Sequence, residues 1–410
     1  LARNDILVGL DVGTTKICAV VGRTLDGALQ ILGVGLAPCR GLRRGVVVDL
    51  AETVRAIQDA IARAQRMAGV ELESAWVGLT GEHISCQNTR GVITISRADH
   101  QVTAEDVHRV RRAADQGVAL PADREIIHNI SRGYVIDGQP GVRNPVGMSA
   151  TRLEVEAHVV IGSSNFIQNV EKCVTQAGLD VEAVVLEPIA TADAVVTPAE
   201  RELGVIVLDM GGGTSDLAIF HGGSICYTGA VPAAGELVTK DIAIGLRLTP
   251  EDAEQVKITH GVALASLVGE EEIIPVPTIG GGPARELPRA LLAEIIEPRM
   301  REIFTLVAEK IRESGFGPVV AAGAVLTGGA SQLPGTAELA SEILQRPVRI
   351  GVPAKITGLV ETVCNPIYAT GVGLVVYAAR ERAALAAEAR PPMAASVWGR
   401  LRRWIQELLD

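Results

Sequence analysis

The chain has 410 residues, of which 48% are hydrophobic and only 3% aromatic, and its formal net charge is −10. That length exceeds one compact core and fits two or more domains built from Val, Ile, Leu and Ala, as in α/β proteins whose sheets are buried. The negative balance argues against nucleic acid as a partner of the main body, the six scattered cysteines read as buried thiols in a reducing compartment and the seven histidines show no metal-ligand spacing, and no apolar run reads as a membrane span or a secretory signal.

In chain order, residues 6–11, 16–23 and 29–36 read as three strands. Residues 49–68 read as a helix with Val54, Ile57, Ile61 and Ala64 on one face. A strand follows at 75–79. This βββαβ order, opened by a Gly/Thr hairpin, is the core of the actin-like ATPase fold. Between residues 83 and 161 the pattern changes to β-α-β-β. There is a strand at 92–96, then a helix with Thr103 at its N-cap, Asp106 three residues on and Gly117 at its end. Strands at 125–136 and 151–161 enclose the turn signals Asp137-Gly138 and Pro140-Gly141. The block reads as an inserted subdomain.

Ser163 and Ser164 open a helix ended by Gly178, and a strand follows at 181–186. Glu187-Pro188 opens an apolar helix through Val195, and 197–203 reads as a polar linker. Domain two starts with 204–220 and a strand near 225–228. Its α-rich insertion, 234–303, holds a helix around 251–258 with Thr249 as N-cap, Pro250 at N1 and Asp252 at N3. Residues 299–314 read as a helix and 318–326 as a buried strand ending in Thr327-Gly328-Gly329-Ala330-Ser331. The apolar stretch 366–379, interrupted by Gly371 and Gly373, reads as a buried helix. Residues 304–364 are assigned to domain two, and 162–196 with 365–380 to domain one. Residues 381–395 are Ala-, Arg- and Pro-rich and read as a linker.

One pattern occurs twice. Leu10-Asp11-Val12-Gly13-Thr14-Thr15 is followed by the apolar run from Lys16, and Leu208-Asp209-Met210-Gly211-Gly212-Gly213-Thr214 by the run from Asp216. In each, an apolar strand reaches an Asp, a Gly/Thr turn reverses the chain, and a second strand returns. Such a turn offers backbone N–H groups and hydroxyls to an anion, and the Asp offers a carboxylate to its cation. Two facing copies would clamp a triphosphate and Mg²⁺ between two similar domains. A Walker loop is excluded because the chain has no Gly-Lys pair, and a Rossmann fingerprint because these glycines open strands. The turn Gly328-Gly329 offers close backbone approach to a base or ribose. Glu254 and Lys257 share one helix face, either as an exposed ion pair or as contacts to ribose and adenine. Two other classes share this superfold: sugar or acetate kinases, and pilus-assembly actin-like adaptors. A kinase needs a base beside the terminal phosphate, for which only Glu187 volunteers.

Together these motifs, with Leu186-Glu187-Pro188-Ile189-Ala190, Ile296-Glu297-Pro298-Arg299 and Leu326-Thr327-Gly328-Gly329-Ala330, resemble the FtsA family. These are bacterial actin-like proteins that tether the FtsZ ring to the cytoplasmic face of the membrane at the division site. The resemblance covers residues 5 to 410. It implies ATP and Mg²⁺ as ligands, held by Asp11, Gly13, Thr14, Thr15, Lys16, Asp209, Gly211, Gly212, Gly213, Thr214, Gly235, Glu254, Lys257, Gly328 and Gly329. Asp11 and Asp209 would hold the hydrated metal, and Glu187 would orient the attacking water in slow hydrolysis. The subdomain 83–161 would serve self-association into filaments and contact with later division proteins.

Two further expectations concern partners. At the chain end, Val397, Trp398, Leu401, Trp404, Ile405, Leu408 and Leu409 fall on one helical face, with Arg400, Arg402 and Arg403 beside it. That pattern over 396–410 reads as an amphipathic helix lying in the headgroups of anionic lipids. By resemblance, the domain-two insertion takes the acidic C-terminal tail of FtsZ, with Arg285, Arg289, Arg299, Arg301 and Glu302 as a basic patch suited to steer it. Pro298 is expected to split the helix beneath that patch.

Overall fold

The computed structural model describes residues 5–388 apart from 26, 270, 279 and 281. The amphipathic segment expected at 396–410 lies outside the described residues. The chain opens with β1 (Ile6–Val12), β2 (Lys16–Leu25) and β3 (Ala28–Pro38), then a short hairpin of β4 (Leu42–Arg43) and β5 (Val46–Val47). Next come α1 (Leu50–Ala68) and β6 (Ser74–Leu79). Helix α1 starts where Asp49 accepts a hydrogen bond from the Glu52 amide, and ends where Gly69 turns left-handed.

The inserted subdomain consists of β7 (Ser85–Thr94), α2 (Ala104–Gln116), β8 (Arg124–Ile136), β9 (Gln139–Val142) and β10 (Arg152–Ser163). Thr103 and Asp106 form a reciprocal capping box at the start of α2. The four strands form a separate sheet in the order β7-β10-β8-β9, and α2 packs Val110 and Ala114 into its own small core.

Helix α3 (Ser164–Gln176) and β11 (Asp180–Leu186) return to domain one, and α4 (Glu187–Val195) leaves it. The stretch read as a linker contains a short helix, α5 (Pro198–Leu203), because Thr197 and Glu200 close a capping box around Pro198. Domain two is β12 (Val205–Met210), β13 (Ser215–His221), β14 (Ser224–Val231), α6 (Gly235–Leu246), α7 (Pro250–His260), the hairpin of β15 (Ile273–Val276) and β16 (Arg285–Pro288), α8 (Arg289–Ser314), β17 (Ala324–Thr327), α9 (Thr336–Leu344) and β18 (Val348–Ile350). The chain then crosses back through β19 (Ile356–Gly358), α10 (Val360–Val363) and α11 (Ala369–Glu388).

Several boundaries differ from the sequence reading. Residues 318–323 are not strand, since a 3-10 turn at Gly317–Val319 delays β17 to Ala324. Strand β19 pairs in parallel with β3, so the return to domain one comes at residue 356 and not 365. The reading of 381–395 as linker is corrected in its first part, because α11 runs on to Glu388. Pro298 does not split α8, which is one helix of 26 residues. Both Pro298 and Glu294, whose carbonyl loses its amide partner, are exposed, so the missing bond leaves no buried polar group. Leu292, Ile296, Met300, Ile303, Val307 and Ile311 form one unbroken buried stripe across it.

Domain one is a six-stranded sheet, β11-β6-β1-β2-β3-β19, and domain two a five-stranded one, β14-β13-β12-β17-β18. Strand parity explains why these strands read as continuous apolar runs. In β1 and β2, Val8, Leu10, Ile17, Ala19 and Val21 face α1 and α3, while Leu7, Cys18 and Val20 face α4 and α11. In β12 and β13, Ile206, Leu208, Leu217 and Ile219 face the domain-two helices, and Val205, Val207, Ala218 and Phe220 join the core around α4 and α11. Helices α4 and α11 are therefore packed between the two sheets.

The subdomain reaches across to domain two. Asn88 donates to the Cys226 carbonyl at 3.0 Å, and Cys86 to the Thr228 carbonyl at 3.2 Å. Fully buried His158 bridges Asn88 Oδ1 at 2.8 Å and Thr228 Oγ1 at 3.0 Å. Ser224 donates to the Arg132 carbonyl at 2.9 Å.

Candidate nucleotide cleft

Asp11 follows Leu7 and Gly9 on one face of β1, and Asp209 follows Val205 and Val207 on one face of β12. Period-two alternation therefore sends both carboxylates toward α4 and α11. The two hairpins repeat each other in detail. Gly13 N donates to Lys16 O at 3.1 Å, and Gly211 N to Thr214 O at 3.0 Å. Asp11 pairs in register with Cys18, as Asp209 does with Asp216. The turns face one another so closely that a side-chain carbon on Gly212 would overlap Thr15, and one on Gly213 would run into Thr14.

Between them lies a cavity of about 50 Å³ lined by Asp11, Gly13, Thr14, Thr15, Lys16, Glu187, Asp209, Gly211, Gly212, Gly213, Thr214, Gly328 and Gly329. Thr80, Asp216, Pro366, Ile367 and Thr370 complete the wall. A side-chain carbon on Gly328, held at φ +83°, would overlap Asp209 Oδ1, so this turn needs glycine.

Four buried carboxylates, Asp11, Glu187, Asp209 and Asp216, line this cavity with a single ammonium, Lys16. Lys16 Nζ bonds Asp11 Oδ2 at 2.7 Å. Burial alone would lower the Lys16 ammonium, but Asp11, together with Cys18 and Asp209, holds it above its ordinary value. Burial raises Asp209, partly offset by a hydrogen bond from Thr370. Burial also lifts Asp216 to about 7, opposed by hydrogen bonds from Thr80 and Thr214. Glu187 is raised well above the usual carboxylate range by burial and then by the charges of Asp11, Asp216 and Asp209. Its Oε1 has no hydrogen-bond partner among the described residues. Such an excess of buried negative charge, with an unpartnered oxygen at its centre, fits an oxygen-seeking divalent cation.

Gly235, Glu254 and Lys257 are not in this wall. Gly235 opens α6, whose first amides grip the second hairpin: Gly235 N to Gly211 O at 3.1 Å and Glu236 N to Gly212 O at 2.8 Å. Lys257 is buried and bonds Gly235 O at 3.1 Å, Thr239 Oγ1 at 2.8 Å and Glu254 Oε2 at 2.6 Å. In this structure Lys257 is buried and Glu254 half-exposed, neither lines the cavity between the hairpins, and the pair fastens α7 to α6. Asp216 could have been read from the sequence, since it shares strand parity with Ala218 and stands seven residues after Asp209. Thr80, Thr191 and Thr370 carry no such local signal.

The four arginines of the expected patch already have partners. Arg285 donates to Leu246 O, Arg289 to His260 O and Glu272, Arg299 to Asp241 and Glu302, and Arg301 to Glu297 and Glu342. Of the basic patch expected there, Arg289, Arg299 and Arg301 are thus neutralised by carboxylates, while Arg285 is held by a carbonyl alone.

The family model for cell division protein FtsA matches residues 206–373. A cell division protein FtsA of Pseudomonas aeruginosa is 47% identical over 409 residues, spanning 98% of this chain and 97% of the relative. The chain belongs to the FtsA family. The FtsA of Escherichia coli K12 is 41% identical over 413 residues, covering 98% of each chain. The model of the SHS2 domain inserted in FtsA matches residues 81–161, the β7–β10 subdomain. Among solved structures, the chain resembles the PilM-PilN type IV pilus biogenesis complex, with a TM-score of 0.64 at 16% identity, over 90% of this chain and 98% of that one. It also resembles MreB5 of Spiroplasma citri bound to ADP, with a TM-score of 0.55 at 15% identity, over 94% and 99%. At these identities the likeness concerns the fold: the chain has the actin-like ATPase fold with an SHS2 insertion. It is a protein of the bacterial division complex. Among the described residues, no helix is long and apolar enough to cross a membrane.

Proposed function

We propose that this chain is a Mg-ATP-binding scaffold that polymerises on the cytoplasmic face of the membrane at the division site and anchors the FtsZ ring there. The observation that carries the reading is the pair of matched hairpins, with Asp11 and Asp209 aimed into one cleft of excess negative charge. The amides and hydroxyls of Gly13 to Thr15 and Gly211 to Thr214 would cradle the phosphates, with Lys16 beside them. Mg²⁺, when bound, neutralises phosphate charge and keeps part of its water shell. Asp209 and Asp11 would hold that shell, and Glu187 would orient water for a slow hydrolysis. Since the hairpins touch, binding requires the two domains to part about α4 and α11.

Membrane attachment is assigned to residues 396–410, with Trp398 and Trp404 at the interface and Arg400, Arg402 and Arg403 toward anionic lipid. One short helix binds reversibly, so attachment would rely on many copies along a filament. The FtsZ tail is assigned to the domain-two insertion around Arg285, Arg289, Arg299 and Glu302. Filament contacts and later division proteins are assigned to the inserted subdomain.

The test is recruitment of a labelled FtsZ tail peptide to anionic liposomes. Wild type with Mg-ATP should carry the peptide to the lipid, and Trp404→Glu should leave both in solution. Asp209→Ala should lose most of its Mg-ATP affinity in calorimetry. Full affinity in Asp209→Ala, or lipid binding by Trp404→Glu, would remove the corresponding part of the reading.

A further inference from the structure

Helices α4 and α11 each place one threonine on the same carboxylate of domain two. Thr370 Oγ1, in the first turn of α11, donates to Asp209 Oδ2 at 2.5 Å. Thr191 Oγ1, one turn after Glu187 on α4, donates to the same oxygen at 3.2 Å. The two hydroxyls lie 2.9 Å apart. All three side chains are buried, with Thr191 fully so. Each hydroxyl has one proton: Thr370 gives its own to Oδ2, and that of Thr191 is shared between Oδ2 and Thr370 Oγ1, an arrangement matched to an ionised carboxylate, which only accepts. Asp209 Oδ1 receives no hydrogen bond among the described residues and stands against the bare Cα of Gly328 at the cavity wall.

The other hairpin is built differently. Asp11 Oδ2 is taken by the Lys16 ammonium at 2.7 Å, so its charge is cancelled inside the protein. The hydroxyls hold Asp209 but leave its charge intact. We propose that Thr191 and Thr370 are a positioning pair that fixes the Asp209 carboxylate, with Oδ2 clamped and Oδ1 presented to the hydrated cation of the nucleotide. Asp209, and not Asp11, is then the main anionic support of that cation. This rests on the nucleotide-binding reading above.

The experiment measures ATP affinity by calorimetry in Mg²⁺ and in EDTA, for wild type, Thr370→Val, Thr370→Ser, Thr191→Val and Thr191→Ser. Valine keeps the shape and removes the donor; serine keeps the donor. A hydrogen bond to a charged group should count for roughly tenfold. Each valine variant should lose about that much of the Mg²⁺-dependent gain while its affinity in EDTA stays near wild type, and each serine variant should recover the gain. Equal losses in Mg²⁺ and EDTA would mean that the threonines only shape the helix crossing, and would overturn the proposal. So would a full gain in both valine variants. If Thr370→Val fails to fold, Thr191→Val carries the same decision. Failure of the nucleotide reading looks different: wild type itself would show no Mg²⁺-dependent gain.

Discussion

Gly373 of α11 rests directly on the backbone of Ala190 in α4, where a side-chain carbon would overlap the Ala190 carbonyl oxygen. The two helices packed between the sheets therefore touch main chain to main chain. Only glycine permits this approach at 373. Gly373→Ala should lower stability by about 1–3 kcal/mol, the range for overpacking a filled core. Chemical denaturation measures it, and an unchanged midpoint would mean the crossing has slack.

Asp216 makes the cleft respond to pH. Its folded carboxyl titrates at about 7 against an ordinary 3.8. The folded chain thus keeps a proton that the unfolded chain releases. The resulting stabilisation is fully present below the ordinary value and is lost as pH rises through about 7. Asp216→Asn should lose less stability than wild type between about pH 4 and pH 7. Parallel curves would show that Asp216 is ionised throughout.

His158 acts with the opposite sign. Burial, with Arg132 nearby, lowers it from 6.5 to about 4, so it is neutral in the seam between subdomain and domain two. Its contribution is present above 6.5 and lost as pH falls toward 4. His158→Gln should show a shallower acid loss than wild type, at an overall cost of about 1–3 kcal/mol if Asn88 or Thr228 is left unpaired. Each of these two groups is isolated by the difference between variant and wild type, since their windows overlap.

Arg299 holds Asp241 with two nitrogens, at 2.6 and 3.1 Å, and also binds Glu302. If an acidic FtsZ tail uses this arginine, Glu302 competes with it. Glu302→Gln should then tighten a labelled tail peptide several-fold at low salt, and Arg299→Glu should weaken it, with ATP affinity unchanged in both. Fluorescence anisotropy distinguishes these outcomes. Peptide affinity indifferent to both changes would move the site elsewhere.

Much of the fold is legible in the sequence where one local rule decides. The hairpins announce themselves through Asp, Gly and Thr between apolar runs, and α1, α2 and α7 through Asp49, Thr103 and Thr249 at their caps. The parity of β1 and β12 is enough to aim Asp11 and Asp209 at the same space. Other features depend on distant chain. Lys257 reads as an exposed partner of Glu254, but α6 supplies Gly235 and Thr239 to bury it. Arg299 and Arg301 read as a patch because Asp241 and Glu342 come from other helices. Pro298 reads as a break, but a buried stripe on both sides of it outweighs one lost hydrogen bond. Thr191 and Thr370 stand 179 residues apart and meet only because α4 and α11 cross.

The SHS2 subdomain is spliced into domain one at both of its chain ends, yet its sheet is stitched to β14 of domain two through His158, Asn88 and Cys86. It therefore works as a strut across the joint. Any swing of one domain about α4 and α11 must either carry the strut along, bending its roots near residues 83 and 161, or unzip its seam. In both cases an event in the cleft is converted into displacement of a surface remote from it, with no added moving part.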